Sequence, residues 1–315
     1  MADPSSHQAQ EGDPQSLWQQ SDLLGLLSTP QPVQPVQAAG EPEPAEGPAE
    51  QPTAKGAIEL PPLAARNGTC APQACPGTLL IIDTETTALS PDQGQCIEVG
   101  AILFAVSQRC VLTQVSFLLP CEHNPAEAIN GIAAAATQVV QPWQAALSCF
   151  EAMIEQCDAV LAHNASFDRQ WFGSGQGPLK AINKPWICSM EDMRWPPQRQ
   201  LKANPSVRDL ALAHGVPVWA AHRALTDCIY LAQVLERCEG LEGLLQAALE
   251  PRLLFRAKLS YSERQRAKEA GFRWNDPIQG AWTRRLSERE AQALPFPVQQ
   301  VQQTGTEATS WAASA

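Results

Sequence analysis

Hydrophobic and polar positions divide the chain into a polar front, a long patterned middle and a short patterned end. Thr78 to Ile82 is an unbroken apolar, β-branched run directly after Pro76-Gly77, the pattern of a buried strand. Ile97 to Phe104 and Val111 to Leu119 predict two more strands, joined by a hairpin at Ser107-Gln108-Arg109. A helix is predicted over residues 142–157, a strand over Ala159 to His163, and a turn opening a helix at Asn164 to Arg169. Trp186 to Met190 predicts another short strand. Ser206 to His214 predicts a capped helix stopped by Gly215, and Ala221 opens a last helix reaching Cys238. Beyond residue 250 the pattern predicts a small β-α-β-like unit. Ala257 to Tyr261 alternates like a strand, and Ser262-Glu263-Arg264-Gln265 fits a capping box for a helix ending at Gly271. Phe272-Arg273-Trp274, a turn through Asn275-Asp276-Pro277, and Ala281 to Arg285 complete the unit.

Composition adds boundaries to this picture. The 315 residues are enough for about two domains, and 44% are hydrophobic, enough for at least one full core. No apolar run approaches the roughly 18 residues of a membrane span. The first residues lack the basic and apolar regions of a secretory signal. The ten cysteines include no Cys-x-x-Cys and read as reduced thiols of a cytosolic chain. Net charge is −11, which excludes a generally basic nucleic-acid coat protein, but the charge is uneven. Residues 1–76 carry nine acids, two bases and 13 of the 27 prolines, and are expected to be a disordered tail. Residues 77–250 carry 18 acids and ten bases and form the expected main domain. Residues 251–292 reverse the sign with ten bases and five acids, and 293–315 read as a second tail.

Candidate chemistry starts where the first strand ends, at Asp83-Thr84-Glu85-Thr86-Thr87. Residues i and i+2 of a strand share a side, so Asp83 and Glu85 present two carboxylates together. No Lys or Arg occurs between Arg66 and Arg109 to neutralise them locally. Such a pair is either solvated at the strand end or holds a cation. Asp168 falls in the first turn of its helix, as a surface acid that complements the dipole or as a third inward carboxylate. His222 stands near the start of the last helix with Asp227 five residues on, as a capping or a catalytic residue. The five histidines show no paired ligand spacing, which disfavours a His-based zinc site.

Taken together, Asp83-x-Glu85 on a first strand, Asp168 after His163-Asn164-x-x-Phe167, and His222-x4-Asp227 on a late helix resemble the DEDDh, or DnaQ-like, 3′–5′ exonuclease superfamily over residues 77–240. Within it, Ile82-Asp83-Thr84-Glu85-Thr86, Ala162 to Arg169, Trp186 to Met190 and His222-Arg223-Ala224-Leu225 are similar to bacterial exonuclease X. The resemblance implies an α/β, RNase H-like fold, a mixed sheet flanked by helices. It implies that Asp83, Glu85, Asp168 and Asp227 hold two divalent cations, Mg²⁺ or Mn²⁺, and that His222 is the general base. It places Thr86, Thr87, Glu98, Asn164 and Phe167 beside the substrate. One departure is Ala88, where the family usually has Gly. If that position needs φ > 0, Ala costs on the order of 1 kcal/mol.

The chemistry suits these residue types. Two cations about 3.5–4 Å apart can clamp the attacking and leaving oxygens of a phosphodiester. Mg²⁺ prefers hard oxygen ligands. A neutral histidine near pH 7 is a suitable base, with an unperturbed pKa of about 6.5.

The expected activity is therefore metal-dependent 3′–5′ exonucleolysis of DNA 3′ ends in proofreading or repair, in the cytoplasm at the nucleoid. Trimming of RNA 3′ ends and a non-catalytic nucleic-acid-binding module are the rival readings. The basic segment resembles a small prokaryotic module of undefined function. Arg264, Lys268, Arg273, Trp274, Trp282 and Arg284 are expected to form its nucleic-acid grip, with cations for phosphates and aromatics for stacking. The other reading makes the tryptophans a mini-core and the arginines solubilising. Finally, Gln20-Ser21-Asp22-Leu23-Leu24 resembles the short peptide by which bacterial DNA enzymes dock on a sliding clamp, with Gln20, Leu23 and Leu24 as contacts.

Overall fold

Strand β1 (Thr78–Thr86) alternates between two cores, and this alternation organises the larger of the two sheets. Leu79 and Ile81 enter one apolar cluster and Leu80 and Ile82 another, so the strand is buried on both faces. The computed structural model describes residues 75–301, apart from Ala221. The expected tail contacts Gln20, Leu23 and Leu24 lie outside these residues. β1 pairs antiparallel with β2 (Cys96–Ala105), which pairs antiparallel with β3 (Cys110–Leu118). Two short helices, α1 (Glu127–Asn130) and α2 (Ala134–Thr137), and the longer α3 (Trp143–Gln156) lead to β4 (Ala159–Ala162). β4 runs parallel to β1 and is followed by α4 (Ala165–Arg169) and the parallel strand β5 (Trp186–Cys188). The sheet order is β3-β2-β1-β4-β5. Helices α5 (Val207–Ala213), α6 (Ala224–Glu236) and α7 (Leu241–Ala248) follow, and they contribute to the Leu79/Ile81 cluster. α3 contributes to the other cluster, so the mixed sheet is flanked by helices as the resemblance implies.

The predicted elements of this part recur within a few residues, and α1, α2 and α7 are additions. Ser206 caps α5 with the reciprocal Ser206–Asp209 box, and Gly215 follows at φ +69°. The predicted last helix is shorter at its front. Arg223 is the N-cap, and His222 stands outside the helix with φ +59°. The expected strain at Ala88 does not arise, because Ala88 is not among the residues with positive φ.

One close approach depends on a missing side chain. Gly100 pairs with Asp83 across β1 and β2, and a Cβ there would meet Leu225 N at 2.3 Å. Only glycine lets the start of α6 sit this close to the sheet beneath the carboxylates.

The C-terminal unit is a four-stranded sheet of order β7-β8-β6-β9, all antiparallel. Its elements are β6 (Leu253–Ala257), α8 (Arg264–Glu269), β7 (Arg273–Trp274), β8 (Trp282–Leu286), α9 (Glu288–Gln292) and β9 (Val298–Gln300). Three expectations need correction here. The first strand lies four residues earlier than predicted. The capping box is Ser260 with Glu263, not Ser262 with Gln265. The module also extends past residue 292, because β9 pairs with β6 and Phe296 is buried against Phe272. The sequence signal for β9 was weak, since a three-residue edge strand gives too short an alternation to recognise.

Arginines join this unit to the part of the chain that carries the five-stranded sheet. Arg252, almost wholly buried, has Nη1 2.6 Å from Glu290 and Nε 3.1 Å from Asp192. Arg194 reaches the same Glu290 at 2.8 Å, and Arg273 reaches Glu191 at 2.6 Å. No helix among the described residues is long and apolar enough to cross a membrane.

Candidate active site

The period of two continues from the core into the site. Asp83 and Glu85 extend the face of Leu79 and Ile81, where α6 packs, and meet Asp227 on that helix. One carboxylate oxygen from each of these three residues lies within 4.8 Å of the other two. Thr84, between them, points the other way, and its hydroxyl donates to Asp168 Oδ1 at 2.8 Å. Asp168 on α4 is 1% exposed, so it is the inward carboxylate and not a surface acid.

Four acids crowded at the end of a buried strand resist ionisation. Burial, followed by Asp168, Asp227, Glu85 and Glu98, raises the Asp83 carboxyl well above the usual carboxylate range. Burial and then Asp227 do the same to Glu85, against a partial lowering by Arg223. Burial pushes Asp168 up to about 7 in spite of its hydrogen bonds from Thr84. Asp227 also rises to about 7 through burial, opposed by backbone N–H groups of His222 and Arg223. Carboxylates that raise one another's pKa in this way are only partly neutralised, by Arg223 at Glu85. Hard oxygen donors this close fit divalent cations such as Mg²⁺ or Mn²⁺.

His222 is half-buried, and burial lowers its pKa from 6.5, which keeps the ring neutral near pH 7. Its neighbour Arg223 makes a two-point ion pair with Glu98, Nε to Oε2 at 3.1 Å and Nη2 to Oε1 at 2.9 Å. The same carboxylate accepts the backbone N–H of Ala224 and so caps α6.

Three of the residues expected beside the substrate have their side chains engaged within the protein. Glu98 is 2% exposed and committed to Arg223 and Ala224. The buried Thr86 hydroxyl donates to Ala88 O at 2.7 Å, and the Thr87 hydroxyl accepts from Gln95 N at 2.9 Å. All three hold the walls of the site, because each polar atom is matched inside the protein. Asn164 sits half-buried at φ +61° before α4, and Phe167 packs edge-on against Trp171 at 6.1 Å. Sequence reasoning missed Asn130, which is buried and donates to Thr86 O at 3.2 Å, and Tyr230, whose hydroxyl binds the loop before His222. Neither residue type carries a motif, so no local signal could have found them.

Three residues of the expected grip are likewise engaged within the protein. Arg273 is paired with Glu191, Arg284 donates to Ala270 O, and Trp282 packs in the module core. Burial lowers the Arg284 pKa to about 10. Arg264 and Lys268 remain exposed on α8, and Trp274 is half exposed beside Trp282. Arg264 also covers the exposed ring of Tyr261 at 4.1 Å.

Residues 80–235 match the family model described as Exonuclease. This matched segment carries Asp83, Glu85, Asp168, His222 and Asp227, so the acidic site lies inside the exonuclease match. Residues 253–301 match a domain of unknown function, DUF8626. No curated protein matches the chain. Among solved structures, exonuclease X in complex with 5′-overhanging duplex DNA is 27% identical, covering 50% of this chain and 89% of its own, with a TM-score of 0.35. Escherichia coli exonuclease I with a dT13 oligonucleotide is 17% identical, covering 51% and 40%, with a TM-score of 0.38. The nuclease domain of 3′hExo, a DEDDh family member bound to rAMP, is 14% identical, covering 51% and 91%, with a TM-score of 0.39.

Proposed function

We propose that this DEDDh-type nuclease is a 3′–5′ exonuclease that releases nucleoside 5′-monophosphates from DNA 3′ ends, in proofreading or repair. The observation that carries the reading is the meeting of Asp83, Glu85 and Asp227, with Asp168 behind them, in an exonuclease domain. These four carboxylates would hold two divalent cations, which when bound supply neutralisation of the charge building on the phosphate. His222, kept neutral by burial, accepts the proton of the attacking water on a ring nitrogen. Arg223 spends its Nε and one Nη2 N–H on Glu98, and through that ion pair it holds the wall of the site.

The DUF8626 unit supplies the attraction that an acidic catalytic domain lacks. Arg264, Lys268 and Trp274 are its exposed contacts for the polyanion. The front segment, through Gln20, Leu23 and Leu24, would tether the enzyme to a sliding clamp and raise its concentration at DNA.

End-labelled single-stranded DNA, duplex DNA and RNA, each digested with Mg²⁺ or Mn²⁺, test the reading. Stepwise shortening of DNA from its 3′ end is expected. Exclusive digestion of RNA would replace the DNA assignment, and no digestion of any polymer would refute both.

A further inference from the structure

His222 departs from the backbone that its sequence position predicts. Its φ of +59° lies in the left-handed region, which a non-glycine residue occupies only when its surroundings hold it there. Two buried anchors do so from either side.

The first is Tyr230, two turns along α6 and 1% exposed. Its hydroxyl accepts the N–H groups of Trp219 and Ala220, both at 2.9 Å, and donates to Ala220 O at 2.6 Å. A phenol offers one donor and two acceptor sites, so these two residues use its whole capacity. The Trp219 indole stands edge-on to the Tyr230 ring at 4.8 Å, adding an aromatic contact to the polar ones. The second anchor is Glu98, which holds Arg223 and Ala224 directly after His222.

The two anchors differ in what they connect. Glu98 ties the loop to β2. Tyr230 ties it to α6, the helix that also carries Asp227. The segment before His222 and a carboxylate of the acidic cluster therefore hang from one rigid element, three residues apart. A shift of about 1 Å in such a group is enough to lower turnover a hundredfold.

We propose that the Tyr230 hydroxyl is a positioning group for His222, setting the place of the imidazole relative to the Asp83–Glu85–Asp227 cluster. The proposal rests on the reading of His222 as the base. It touches no substrate, and it acts only through the loop.

Tyr230→Phe removes one oxygen and keeps the ring. Turnover at saturating DNA is expected to fall about tenfold or more, with KM and Mn²⁺ affinity each within about twofold of wild type. In the metal-free protein, amide hydrogen exchange at Trp219 and Ala220 should quicken, because their acceptor is gone. In a His222→Ala background, Tyr230→Phe should cost nothing further, since the group it positions is absent. Unchanged turnover with quickened exchange would overturn the proposal, as would an equal loss in the His222→Ala background or a parallel loss of metal affinity. If Tyr230→Phe fails to fold, Glu98→Gln loosens the other anchor and must show the same split between turnover and KM; a fall in both would count against positioning. Full activity of His222→Ala alone would instead refute His222 as the base. Inactive His222→Ala beside wild-type Tyr230→Phe would refute the positioning role alone.

Discussion

Thr84 donates to Asp168 across 2.8 Å, although its neighbours Asp83 and Glu85 face the opposite helix. A single strand end therefore collects acids from both of its faces. Its odd positions supply two carboxylates towards α6, and its even position orients a third on α4. That arrangement determines how the site responds to substitution, to pH and to cations.

Asp83 is the acid that burial, Asp168, Asp227 and Glu85 all push upward. Asp83→Ala should abolish cleavage, leaving less than a few per cent of wild-type activity, because a carboxylate of the cluster is lost. The fold should survive, since the change also removes like-charge repulsion and a costly buried acid. Thermal unfolding in EDTA is expected at or above the wild-type temperature. Substantial remaining nuclease activity would show that Asp83 holds no cation.

The raised acids make metal-free stability depend on pH. Asp168 and Asp227 titrate at about 7 when folded, against about 3.9 for an unfolded aspartate. Between these values the native state binds more protons than the unfolded state, so stability falls as pH rises. In EDTA the melting temperature should therefore drop from about pH 5 to pH 8. Millimolar Mg²⁺ should restore it at the higher pH. A flat profile in EDTA would mean that the carboxylates are already neutralised by protein groups.

His222→Ala should lower turnover about 10²–10⁴-fold, the usual range for general-base assistance. Binding of Mn²⁺ measured without substrate should barely change, because His222 is not part of the carboxylate cluster. A comparable loss of Mn²⁺ affinity would make the residue a ligand instead.

The ion network around Arg252 predicts how the two halves are joined. Arg252 is 7% exposed in its side chain and lies between Asp192 and Glu290. Burial alone would raise the Glu290 pKa, but Arg194 and Arg252 more than reverse this. Removing one member of such a buried group costs about 3–5 kcal/mol. Arg252→Ala should therefore destabilise the chain by about that amount in urea melts and expose the C-terminal unit to early proteolysis. Wild-type melting and cleavage would show that the apolar contacts suffice.

Charge reversal at the exposed positions separates docking from DNA binding. Arg264→Glu with Lys268→Glu should weaken binding of long single-stranded DNA and make its salt dependence shallower by roughly 1.4 in log–log slope, two phosphate contacts' worth. Cutting of short oligonucleotides should remain. An unchanged slope would leave these cations as solubilising groups.

Much of the site was legible because local periodicity decided it. The period of two along β1 put Asp83 and Glu85 on one side, and the apolar run before them marked a buried strand. The Ser206 cap and the Gly215 stop were likewise local, and so were most element boundaries. What remained hidden depended on partners distant in the chain. Glu98 was expected beside the substrate, yet it meets Arg223 across 125 residues. Arg273 and Arg284 counted as free charge in the sequence, but Arg273 is paired with Glu191 and Arg284 is half-buried against the backbone carbonyl of Ala270. The Tyr230 hydroxyl shows the same limit. Its spacing from Ala220 is short, but whether the ring turned inward to that loop was decided by how α6 packs on the sheet. Sequence alone determined which groups could ionise, hydrogen-bond or lie on a common face; tertiary packing decided which of them lost water and found a partner, because burial is a property of the assembled core and not of any segment within it.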